Sequence, residues 1–244
     1  MIDDYAKAGY TISPATVGDA SFIAKATLYA ERAHLDVGMW DVYFEGESEK
    51  NMLQCLEECA AAVEESHLHF RHFLIARSKR DGLPVSSCSS YRAPTSAIKT
   101  FDCLQDVTSR LIQWSEERFK TARSSVEFLC CPEPWPDLDI YAGSSYLETV
   151  YTIPAFRGQG VASALLQQHI EKSKAGGAAR CFLLCALGNE GACRMYNKQG
   201  LVEVGRHVHG DTMRKLGIDG FHVLVREFEE NKQQQPKSSV GGLP

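Results

Sequence analysis

Residues 146–176, YLETVYTIPAFRGQGVASALLQQHIEKSKAG, constrain this chain more than any other segment. The β-prone run up to Ile153 reads as a strand, Pro154 marks a sharp turn, and a glycine-spaced loop opens a long amphipathic helix. A helix start leaves four backbone N–H groups without partners and carries partial positive charge. In RGQGVA, Gly158 and Gly160 let a large anion approach those groups without meeting a Cβ. The segment therefore reads as a strand–turn–helix unit that holds a phosphate-bearing ligand.

The rest of the sequence narrows the class of protein. Its 244 residues suit one large domain or two small ones, and 44% apolar content is enough for a packed core. A net charge of −5 gives no basic footprint for nucleic acid. The N-terminal MIDDYAKAGY lacks the apolar run of a signal peptide, and no segment is long and apolar enough for a membrane helix. The nine cysteines show no CxxC pair, so they read as reduced thiols of a cytoplasmic protein, with no metal expected.

Along the chain, residues 10–13 are β-prone and end at Pro14. Thr16 or Asp19 is placed to cap a helix running to about His34. A glycine-punctuated stretch follows, and from Asp36 to Glu49 it holds five acidic residues and no basic one. A helix is expected over 48–65, and a strand pair at 70–77 and 84–92 around the turn KRDG. Residues 93–145 read as an insertion with one helix at 104–123 and a proline-rich loop. A strand at 180–186, a helix at 189–199 and strands at 201–207 and 221–228 complete a domain ending near residue 230. The polar tail 231–244 is expected to be disordered.

Two motifs in order carry a resemblance. Arg157-x-x-Gly160-x-Ala162, after a strand and opening a helix, resembles the acetyl-CoA signature of the GNAT superfamily of N-acetyltransferases. Downstream, GNEGACRMYNKQGLVEVGR resembles that superfamily's Asn–helix–Tyr–Gly segment through Asn189, Tyr196, Gly200 and Leu201. The resemblance implies an α/β fold of about seven strands in a mixed, mostly antiparallel twisted sheet, with helices on both faces and a splay between the fourth and fifth strands. It implies acetyl-CoA as co-substrate. The N–H groups of Arg157, Gly158, Gln159, Gly160, Val161, Ala162 and Ser163 would hold its pyrophosphate. The backbone of Val150, Tyr151 and Thr152 would pair with its pantetheine arm as an added strand does. Asn189 would bond the arm from the other side; by itself it reads as a helix N-cap.

The chemistry rests on two residues. Tyr196 lies, by resemblance, near the thioester sulfur, where a phenol can protonate the departing thiolate; its plainer reading is a core tyrosine. Glu148 matches a glutamate of the diamine/polyamine acetyltransferases that is held to act as base through water; its plainer reading is a solvated edge carboxylate. Strand alternation places Glu148, Val150 and Thr152 on one face. An alkylamine of pKa near 10.4 is neutral in only about one molecule in 2,500 at pH 7, a cost of about 4.6 kcal/mol, so a nearby base matters most for such acceptors. The acidic stretch 36–49 falls where this fold places its acceptor loop, and Trp40, Tyr43 and Phe44 there could pack against a cation. A solvated acidic loop with aromatic anchors is the alternative.

Two departures from related patterns matter. Leu184 stands where several protein-directed relatives carry a glutamate, and Thr149 stands where polyamine enzymes often carry an aspartate. The reading is direct acetyl transfer to a primary amine, a small cationic one, in a ternary complex. Protein N-termini or lysines are the rival acceptors, and a non-catalytic acyl-CoA-binding module is the rival outside enzymes. Homodimers are frequent among proteins of this resemblance. His67, His69 and His72, with Cys55 and Cys59 upstream, read as ordinary core or surface side chains.

Overall fold

A computed structural model describes residues 9–64, 66–92, 95–130, 143–208 and 214–228. The proline-rich loop from residue 131 and the tail at 231–244 lie outside these. Seven strands form one sheet: β1 (Tyr10–Pro14), β2 (Phe73–Ser78), β3 (Pro84–Arg92), β4 (Ser144–Thr152), β5 (Arg180–Ala186), β6 (Val202–His207) and β7 (Phe221–Glu227). Their order is β1-β2-β3-β4-β5-β7-β6. Every neighbouring pair is antiparallel except β4 and β5, which run parallel. This is the mixed, mostly antiparallel sheet expected from the sequence.

The splay is visible in the register. β4 pairs with β5 only at Ser144, Ser145 and Tyr146, whereas β5 continues along β7 for its whole length, to Ala186. From Leu147 onward β4 therefore presents a free edge to a widening wedge.

The other edge of β4 carries a bulge. Glu148 pairs with Ser89 and Tyr151 with Ser87, so Cys88 alone faces both Thr149 and Val150. Thr149 has φ 52°, a left-handed conformation that a β-branched residue rarely adopts. The bulge overturns the expected alternation. Glu148 and Tyr151 face one side of the sheet, where Tyr151 meets Phe22 and Tyr29. Leu147 and Val150 join the apolar cluster on the other side.

The helices divide between the two faces. On the Glu148 side lie α1 (Ala20–Arg32), α2 (Met39–Tyr43), α3 (Glu49–Ala62), α4 (Thr95–Ile112) and α5 (Glu116–Cys130). On the other lie α6 (Val161–Ala175) and α7 (Glu190–Lys198), packed over Leu147, Leu183 and Cys185. Ser48 caps α3 by accepting from the Asn51 N–H. Asp19 precedes α1, but its carboxylate accepts from the Thr16 N–H and from Arg77 instead of capping α1.

Two expectations change here. The single helix at 104–123 is two helices, broken at Gln113, which has φ 59°. These helices are also more than an appendage. Phe101, Leu104, Val107, Trp114 and Phe119 share one core with Trp40, Tyr43 and Phe44 of the α2 region.

Candidate active site

The wedge beside β4 opens into a groove of about 800 Å³, lined by Val150, Tyr151, Thr152, Phe156 to Gly158, Gly160 to Ser163, and Asn189, Arg194, Tyr196 and Lys198. Gly158 and Gly160 have φ near +75°, and a Cβ at either would meet nothing within 4 Å. Their need for glycine is thus conformational: the left-handed turn brings the loop N–H groups to the start of α6. Gly160 is its N-cap and supplies no side-chain cap, so the first helical N–H groups stay open to a ligand. Arg157 donates from Nε to the Thr152 carbonyl at 3.1 Å, tying the loop to the end of β4.

Asn189 caps α7 by accepting from the Ala192 N–H at 3.3 Å, and it lines the groove as well. Both sequence readings of this residue therefore coexist. The expected residues Val150 to Thr152, Arg157 to Ser163, Asn189 and Tyr196 all meet at this groove, except that Gln159 does not line it; its Nε2 donates to the Ala155 carbonyl.

A smaller cavity, of about 110 Å³, adjoins the groove and shares Val150, Asn189 and Tyr196 with it. Glu31, Glu148, Met39, Leu184, Tyr196 and Phe221 line it. Tyr196 is 8% exposed, and among the described residues no protein group bonds its hydroxyl. Burial, reinforced by nearby thiols and Glu31, holds this phenol well above its ordinary pKa, so it stays protonated.

Glu148 is not a solvated edge carboxylate. Its Oε2 accepts from the Tyr91 hydroxyl at 3.1 Å and lies 3.4 Å from His67 Nε2. Its Oε1 has no protein partner among the described residues. Burial pushes Glu148 up to about 7. Burial and the Glu148 charge push Glu31 up to about 8. The two titrate as a pair.

Sequence reading missed three of these residues. Glu31 sits on an expected helix but shows no local pattern; only the packing of α1 across β4 brings it to Glu148. Tyr91 reaches it from the neighbouring strand. His67 reads as an ordinary side chain, yet it is 4% exposed, and its Nδ1 lies 2.7 Å from the Thr100 hydroxyl on α4.

In the acidic stretch 36–49 the aromatics are core anchors, as the second of its two readings has them, but three of its carboxylates are bonded and not merely solvated. Trp40, Tyr43 and Phe44 are 1%, 1% and 0% exposed, locked among Phe101 and Trp114. Three of the carboxylates hold structure. Asp41 takes a two-pronged pair from Arg32 at 2.8 and 3.0 Å, Glu49 accepts from Arg32 and Tyr29, and Glu47 accepts from Trp114 and Asn51. The stretch anchors α2 into the core instead of presenting an aromatic face to a cation.

Residues 101–201 match the model of the acetyltransferase (GNAT) family. Over that segment the chain is similar to the GNAT acetyltransferases. No curated protein sequence matches it. Solved structures share its fold. An N-acetyltransferase from Staphylococcus aureus Mu50 is 20% identical, with TM-score 0.62 over 88% of this chain and all of that one. A protein described only as an acetyltransferase is also 20% identical, with TM-score 0.63 over 89% of this chain and 99% of its own. The protein yncA of Salmonella typhimurium, solved with its cofactor acetyl-CoA, is 13% identical, with TM-score 0.52 over 92% and 96% of the two chains.

In this fold the carboxylates near the wedge come from β4 and α1. The β5 position where protein-directed relatives carry a glutamate presents Leu184, an apolar wall of the small cavity. Among the described residues no helix is long and apolar enough to cross a membrane.

Proposed function

We propose that this GNAT domain transfers an acetyl group from acetyl-CoA to a small cationic primary amine by direct attack in a ternary complex. The observation that carries the reading is the Glu31–Glu148 pair: two half-buried carboxylates, both raised in pKa, in a cavity that shares Val150, Asn189 and Tyr196 with the groove. The groove supports the cofactor half, with its glycine loop at a helix start and the free edge of β4. Arg157 to Ser163 would take the pyrophosphate, and β4 and Asn189 the pantetheine arm. A Salmonella neighbour of the same fold was solved with acetyl-CoA, which supports acetyl-CoA as the co-substrate.

The carboxylate pair suits the acceptor for two reasons. It supplies negative charge for an ammonium group away from bulk water, where the attraction is stronger. It also supplies a base near neutral pH. Glu148 takes a proton from the ammonium through Oε1, directly or through water, and the freed lone pair attacks the thioester carbon. The N–H groups of the β4 bulge stabilise the oxyanion. On collapse the C–S bond breaks, nitrogen loses its second proton to the carboxylate pair, and Tyr196 protonates the sulfur and recovers its proton from that pair. One proton ends on CoA and one leaves to solvent, so the charges balance.

Titration calorimetry with acetyl-CoA, followed by an acetylation screen of polyamines, aminoglycoside-like amines, arylalkylamines and short peptides, tests the reading. Acetyl-CoA binding with transfer to a small amine is expected. Transfer to peptides alone would move the acceptor assignment to proteins, and no binding at millimolar acetyl-CoA would remove the enzyme reading.

A further inference from the structure

β3 carries the unusual run Ser86-Ser87-Cys88-Ser89-Ser90, and Ser86, Ser87 and Ser89 are all 0% exposed. A buried hydroxyl needs a partner. Two of these find theirs in the carbonyls of the β4 bulge. Ser89 Oγ donates to the Glu148 carbonyl at 3.1 Å, and Ser87 Oγ donates to the Thr149 carbonyl at 3.3 Å.

A trans peptide holds its C=O and its N–H in opposite directions. A Glu148 carbonyl drawn toward Ser89 therefore aims the Thr149 N–H away from β3. A Thr149 carbonyl drawn toward Ser87 does the same for the Val150 N–H. In a regular strand successive carbonyls alternate; here the left-handed Thr149, at φ 52°, puts two in succession on one side. Thr149 and Val150 both line the cavity beside the wedge. That conformation costs a β-branched residue on the order of 1–2 kcal/mol and persists only where its surroundings enforce it.

We propose that Ser87 and Ser89 are positioning residues for acetyl transfer: their hydroxyls fix the two bulge peptides so that the Thr149 and Val150 N–H groups form a preset oxyanion site. The inference rests on the acetyl-transfer reading. Neither serine touches substrate; each acts through the peptide it holds. Ser90 is the internal control. Its hydroxyl faces Ser173 on α6 at 3.4 Å and holds no β4 carbonyl.

The test is infrared difference spectroscopy of acetyl-CoA labelled with ¹³C at the thioester carbonyl, bound to the wild type, Ser87→Ala, Ser89→Ala and Ser90→Ala, alongside kcat and acetyl-CoA Kd. A site that polarises the carbonyl lowers its stretching frequency on binding. Wild type and Ser90→Ala should show that shift in full. Ser87→Ala and Ser89→Ala should each lose a large part of it and about tenfold in kcat, with Kd nearly unchanged. Ser87→Thr, which keeps the hydroxyl, should restore both. A full shift and full kcat in both alanine variants would overturn the positioning role. Should Ser87→Ala not fold, Ser89→Ala decides alone, because it frees a different carbonyl. A wild type that binds acetyl-CoA with no shift refutes the oxyanion site itself, and a wild type that does not bind refutes the acetyl-transfer reading instead.

Discussion

The groove of about 800 Å³ and the cavity of about 110 Å³ share Val150, Asn189 and Tyr196, yet they are built differently. The groove offers mainly backbone, from Gly158, Gly160, the start of α6 and the free edge of β4. The cavity offers side chains gathered from distant segments: Glu31 from α1, Glu148 from β4, with His67 and Tyr91 behind. Backbone recognition depends on where glycines and helix starts fall, which is written locally in a sequence. Side-chain recognition depends on which strands and helices pack together, which is not.

Substitutions on the two sides should therefore separate binding from chemistry. The largest effect is expected from Glu148→Gln: a loss of roughly 10²–10³ in kcat for an alkylamine, with acetyl-CoA affinity intact by calorimetry. A parallel loss of affinity would erase the distinction between the two sides. Tyr196→Phe comes next, with a fall of about 10–100-fold in turnover and little change in acetyl-CoA Kd. Its position in both cavities makes it the sharper probe, since affinity lost together with turnover would point to a packing role.

Gly160→Val should do the reverse. A β-branched residue at φ +77° is strained by roughly 1–2 kcal/mol, so acetyl-CoA should bind about tenfold more weakly, while kcat at saturating cofactor is largely kept.

The smallest expected effect concerns stability. Both carboxylates have folded-state pKa values raised above the ordinary 4.5. The folded protein therefore holds protons that the unfolded chain gives up. That contribution is complete below about pH 4.5 and is lost as pH rises through about 7 and about 8. Glu31→Gln should raise Tm by about 2–4 °C at pH 9 and by less at pH 6, read from thermal melts at both values. Equal gains at both pH values would mean that the pair is not strained by its charge.

The same contrast explains what the sequence made legible. RGQGVA, with its preceding strand and following helix, names most of the residues that line the groove, and Asn189 and Tyr196 follow from the second motif. The seven strands and the wedge between β4 and β5 follow from the resemblance those segments carry. The bulge at Thr149 did not, because nothing local distinguishes Thr-Val from a regular strand. Its carbonyls are held by Ser87 and Ser89 of the neighbouring strand, far away in the sequence. That one inserted residue is why Glu148 and Val150, expected together, face opposite sides. The acidic stretch left two readings open for a related reason. Its charges count as free in a sequence, whereas Arg32 of α1 and Trp114, beyond α4, neutralise or bond them in the fold.

The most direct test of the central claim, that a half-buried carboxylate pair prepares a cationic amine for attack, is the pH dependence of kcat/KM for a small primary amine in wild type and Glu148→Gln. The account predicts a wild-type rate that rises through about pH 7 as the pair ionises, and loss of that rising limb in the variant. A profile that keeps the same limb in Glu148→Gln would contradict it.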